Sequence, residues 1–139
     1  MTGSGGNHSL LAKPTVADPQ TALTWADRLL READPSTAGL WPRTAARLIR
    51  VALERAVDRH WSSSRPQMLN CPTMMRLLML EGTLGRPDAR DAYLLWSHLS
   101  DATHPHPYEL APTASELRRW HDSCSRLAIR LGSDTRTAS

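Results

Sequence analysis

Between Trp41 and Trp61 the apolar residues Ala45, Leu48, Ile49, Ala52, Leu53 and Ala56, joined by His60, recur at steps of three and four. That is the period of an α-helix with one face toward a core. Pro42 stands where a first helical turn tolerates proline. Arg43, Arg47, Arg50 and Glu54 fall on the other side, so this second helix carries a basic outer face. Strands alternate with period two, and no stretch of the chain does so for long enough to argue one.

Four further helices follow from the same reasoning. The first begins at Asp18, a capping residue, with Pro19 at the first helical position, and its stripe of Ala22, Ala26, Leu29, Leu30 and Ala33 ends at Asp34 and Pro35. A short third helix starts near Pro72 and runs through Met74, Met75, Leu77, Leu78 and Leu80 until Gly82 and Gly85 break it. It is apolar nearly all round, which predicts that it is sandwiched inside; its methionines either fill core gaps or line a ligand pocket. The fourth helix begins at Pro87 and Asp88, buries Ala92, Leu95, Trp96 and Leu99, and stops before Pro105. The last opens with a capping box, Thr113 with Glu116, and carries Leu117, Trp120, His121, Cys124, Leu127, Ala128 and Leu131 inward. With Trp41, Trp96 and Trp120 on core stripes, the five tryptophans are expected to be mostly buried.

The prediction is an all-α, single-domain bundle of four to five helices over 18–131, flanked by disordered tails at 1–17 and 132–139. A chain of 139 residues can bury one core without disulfide or metal staples. Hydrophobic residues at 40% and charged residues at 22% exclude a disordered or membranous bulk. The apolar runs fall far short of the roughly 20 residues that span a bilayer. The first residues lack the charged start and apolar run of a secretion signal, so a cytoplasmic location is expected, with Cys71 and Cys124 as buried free thiols.

The formal charge of +3 is uneven. Residues 41–65 carry six arginines against Glu54 and Asp58, whereas 86–110 lean acidic. An anionic partner would therefore land on the second or the last helix, with Arg43, Arg47 and Arg50 as the candidate RNA-binding residues and affinity that falls steeply with salt.

Candidate chemistry is concentrated in 96–109, which holds His98, His104 and His106. His98 and Asp101 are three apart on one helix, so the carboxylate could orient the imidazole and raise its basicity. His104 and His106 lie on a proline-stiffened turn beside that helix end. His98, Asp101, His104 and His106 are thus the candidate catalytic residues. The same histidines could instead cap the helix and pack the turn. His104, His106, His121 and Cys124 are residue types that zinc accepts, but their spacing matches no strong zinc pattern, and no metal or cofactor is assigned.

The stretch Arg47-Leu-Ile-Arg50-Val-Ala-Leu-Glu54, the helix ending Leu-Trp-Ser-His-Leu-Ser-Asp-Ala-Thr-His104-Pro, and the final helix together resemble the HEPN superfamily of small helical domains, over about residues 40 to 130. The resemblance implies a homodimer that binds RNA or a nucleotide. It also implies a metal-independent ribonuclease in a toxin or defence setting, using an arginine and a histidine separated by four to six residues. Arg55-Ala-Val-Asp-Arg-His60 has that spacing, but in the second helix rather than a late one. A catalytically silent member, serving dimerisation or holding RNA or another protein, is the alternative; a metal- or small-molecule-binding helical protein is a further one.

Overall fold

The computed structural model describes residues 17–32, 41–104 and 110–138. It is all-helical, with no strand among the described residues: α1 (Pro19–Arg31), α2 (Trp41–Ser64), a 3-10 turn (Pro66–Asn70), α3 (Thr73–Leu78), α4 (Glu81–Leu84), α5 (Arg86–Thr103) and α6 (Ala114–Ala138). The expected bundle is therefore present. Ala33, Asp34 and Pro35, the residues expected to finish the first helix, lie outside the described residues.

The α2 helix is the central post, packing against α1, α5 and α6. Its small residues Ala45, Ala46, Ala52 and Ala56 are buried and let those neighbours approach, while Ile49, Leu53, Val57 and Trp61 fill the space between. Leu99 from α5 and Leu117, Cys124, Leu127 and Leu131 from α6 complete the core. Burial pushes the Cys124 thiol up to about 12, because a thiolate there would be stranded from water.

Both predicted caps form. Asp18 Oδ1 accepts from Gln20 N at 3.0 Å. Thr113 and Glu116 exchange bonds, Glu116 N donating to Thr113 Oγ1 and Thr113 N to Glu116 Oε1, each at 3.1 Å. A polar seam ties α1 to α6: His121 Nε2 donates to the Leu23 carbonyl at 2.9 Å, and Arg118 reaches Asp27 at 2.7 Å. That hydrogen bond, with Arg31 on the other carboxylate oxygen, holds the Asp27 carboxyl below the usual range. The inner stripe of α6 includes Leu131 as expected, and the helix itself runs on to Ala138.

Three expectations need correction. Gly82 does not break the chain, because it sits inside α4; the break comes at Gly85, whose φ of 88° is the left-handed conformation that favours glycine. The third helix is not sandwiched: Leu77 and Leu80 are buried, but Met74, Met75, Leu78 and Met79 face outward. Tryptophan burial is also overestimated, since only Trp61 is fully buried, Trp41, Trp96 and Trp120 are half-buried, and Trp25 is 53% exposed. A half-buried helix gives a large ring one apolar side and one wet side.

Candidate functional site

The end of α5 and the basic side of α2, read as separate features in the sequence, meet in space. Arg43, Arg47 and Arg50 stand at steps of four and three, which stacks them on one side of α2. Trp96, Ser100 and Thr103 repeat the same steps along α5. Where the stripes touch, Arg50 Nη1 donates to Thr103 Oγ1 at 3.0 Å and Arg43 Nη1 donates to the His104 carbonyl at 2.9 Å. Arg50 also faces Glu54 Oε1 at 3.4 Å, one turn along its own helix.

Arg43 and Arg50 are consequently half-buried rather than set on an outward basic face. Their cations sit at the C-terminus of α5, where unsatisfied carbonyls concentrate partial negative charge and favour a positive neighbour. Each still has N–H groups beyond the one it has placed. Arg47 lies between them, exposed, with no hydrogen bond or ion pair to any described residue. Trp96 Nε1 and Ser100 Oγ, on the facing stripe, are buried without a hydrogen-bond partner among the described residues. Unmet donors of this kind cost about 1–3 kcal/mol each and reward any polar group that reaches them. Sequence reasoning gave Trp96 only a core role and passed over Ser100 and Thr103, because spacing along one helix does not say which neighbour it meets.

The proposed acid–base pair does not assemble. No hydrogen bond or ion pair joins His98 to Asp101; instead the exposed His98 ring stacks on Trp120 across the α5–α6 groove, with centroids 6.1 Å apart and planes at 28°. His104 is exposed, and its backbone is held at both groups, N–H to the Asp101 carbonyl at 3.3 Å and C=O by Arg43. His106 lies outside the described residues. In the Arg55–His60 pair of suitable spacing, His60 is 2% exposed, with Nδ1 3.4 Å from the Leu131 carbonyl oxygen, and it forms part of the wall of a hollow of about 420 Å³ shared with Asp18, Arg59 and Ser63.

The groove beside His98 encloses about 400 Å³ and is lined by Asp101, Leu110, Glu116, Arg119 and Trp120. Its two carboxylates outnumber its one guanidinium, which suits a polyanion less well than the Arg47 side. Among the described residues no three His, Cys, Asp or Glu side chains converge on one point as metal ligands. His121 and Cys124 are instead committed to the Leu23 and Ile49 carbonyls. No helix among the described residues is long and apolar enough to cross a membrane. No family model, curated protein or solved structure matches this chain.

Proposed function

We propose that this chain is a HEPN-like helical domain that holds RNA, or a nucleotide of the same chemistry, without cutting it. The observation that carries the proposal is that Arg43 and Arg50 are anchored on the end of α5, with exposed Arg47 on the same side of α2 between them making no hydrogen bond or ion pair to any described residue. Anchoring matters because a guanidinium already fixed in place loses less side-chain entropy when a phosphate binds. Phosphate oxygens accept the remaining N–H groups, and Arg47 supplies a forked donor at the rim.

Holding is favoured over cleavage by the geometry at the histidines. A carboxylate bonded to an imidazole would fix its tautomer and raise its basicity, and no hydrogen bond or ion pair joins His98 to Asp101, the His98 ring lying instead on Trp120. The test is binding of a single-stranded oligoribonucleotide at low salt. Replacing Arg43, Arg47 and Arg50 together with Gln is expected to abolish binding nearly completely, and Arg47→Gln alone to weaken it while the helical circular dichroism signal stays unchanged. RNA affinity that survives both variants contradicts the proposal, and cleavage lost in His98→Ala contradicts the non-catalytic part of it.

A further inference from the structure

We infer that the hollow between the start of α1 and the C-terminal halves of α2 and α6 binds a free amino acid with an apolar side chain, of about the size of phenylalanine. This is the space of about 420 Å³ whose wall includes His60. Pockets that hold small molecules run from about 300 to about 1,000 Å³. An apolar cavity of about 150 Å³ takes a benzene-sized group, so this one has room for a ring and a head group beside it. Gly132 helps to keep the space open: it lines the hollow, and a Cβ placed there would meet no neighbouring atom within 4 Å. The walls are tied together as well, since His60 Nδ1 donates from α2 to the Leu131 carbonyl of α6 at 3.4 Å.

What identifies the ligand is the chemistry of the wall. Part of it is aliphatic, with Ala56 and Leu131 buried and Ile129 left 66% exposed. An exposed isoleucine on a concave wall is apolar surface for a ligand to cover. The charged part is one carboxylate and one guanidinium side by side, Arg59 Nη1 lying 3.3 Å from Asp18 Oδ1. The same Asp18 oxygen takes the Gln20 N–H, while its second oxygen accepts from no described residue, and Arg59 donates to no other described group. Both side chains are more than half exposed, so the pair takes on further partners at little cost.

A free amino acid carries an ammonium and a carboxylate on one carbon, which matches two protein charges that are themselves neighbours. Its carboxylate accepts the remaining N–H groups of Arg59, and its ammonium donates to the second oxygen of Asp18. Its apolar side chain lies against Ala128 and Ile129. A simple anion would satisfy Arg59 and leave Asp18 unmatched, and a simple amine would do the reverse. Nucleic acid fits poorly, because the Asp18 carboxylate repels phosphate. The inference uses none of the Arg43, Arg47 and Arg50 site and stands or falls apart from RNA binding.

Isothermal titration calorimetry of the full chain with L-phenylalanine, hydrocinnamate and phenethylamine, which share the ring and differ in the head group, tests it. The wild type is expected to bind L-phenylalanine with a Kd below about 1 mM. Each of the singly charged compounds is expected to bind about tenfold more weakly or worse, the worth of one charge-assisted bond. Asp18→Asn keeps a capping side chain and is expected to lose the preference over hydrocinnamate; Arg59→Gln is expected to lose the preference over phenethylamine. Gly132→Leu fills the hollow with a better helix former, and is expected to keep its melting temperature and lose binding. No binding of L-phenylalanine at about 10 mM, or undiminished binding by Gly132→Leu, overturns the site. A wild type that binds either singly charged compound as tightly as L-phenylalanine overturns the assignment of the ligand.

Discussion

Arginine is used in opposite ways at two places along α2. Against its C-terminal half, Arg76 of α3 has all three guanidinium nitrogens engaged: Nε donates to the Cys71 carbonyl at 2.8 Å, Nη2 to the Leu69 carbonyl at 2.7 Å and Nη1 to Asp58 at 2.6 Å, while its own carbonyl accepts from Trp61 Nε1 at 3.0 Å. Near the N-terminus of α2, Arg43 and Arg50 each place one Nη1 on the end of α5, and Arg47 places none on any described residue. A guanidinium with all three nitrogens engaged by the protein is a staple for a loop. One with directions to spare, anchored beside another cation, is where a ligand's oxygens find donors. The difference separates structure from function more sharply than charge counting does, because both places are basic.

The largest effect expected from this contrast is at the Arg76 end. Arg76→Ala strips hydrogen bonds from two loop carbonyls and leaves the half-buried Asp58 carboxylate unpaired, a loss of about 3 kcal/mol that thermal or urea unfolding would register. A loss under about 1 kcal/mol would mean that the clamp is a surface ornament. Arg50→Gln, which gives up the Thr103 bond and the pair with Glu54, is expected to cost about 1 kcal/mol. Arg47→Gln is expected to cost nothing measurable in stability.

Thiol labelling probes the same contrast at a smaller scale. Cys71 is partly exposed, and its carbonyl is one of the groups Arg76 holds. Its labelling rate near pH 8 should rise in Arg76→Ala. Cys124, buried and with its thiol pushed up to about 12, remains protonated at that pH and should label only through global unfolding. Rapid native labelling of Cys124 would show that the α2–α6 core opens locally. The smallest effect concerns α1: because Arg118 depresses the Asp27 carboxyl, the advantage of wild type over Asp27→Asn is present above the ordinary value of 3.8 and fades as pH falls through the lower folded-state value. An advantage unchanged at pH 2 would remove that pair from the account.

The long helices were legible in the sequence because caps and period agree. Asp18 with Pro19, and Thr113 with Glu116, mark helix starts by chemistry that acts within three residues. Short α3 was misread for a physical reason: a helix apolar on every side is expected to be buried, and hydropathy does not say which side a neighbour covers. The site was half legible. Arg43, Arg47 and Arg50 were identified from charge, and the end of α5 from its histidines, but their meeting depends on how α2 and α5 cross. Side-chain spacing within one helix carries no information about that crossing. His98 went to Trp120, 22 positions away in sequence, for the same reason.

Whether Arg47, between two anchored arginines, donates to phosphate is read most plainly from the salt dependence of RNA binding. Each phosphate contact with a single strand contributes a slope of about −0.7 to log K against log salt concentration. Wild type and Arg47→Gln are to be titrated with the same single-stranded oligoribonucleotide across a range of salt concentrations. The variant is expected to keep its melting temperature, with a slope shallower by about 0.7, one contact's worth. A wild type that binds with a salt slope identical to that of Arg47→Gln would contradict it.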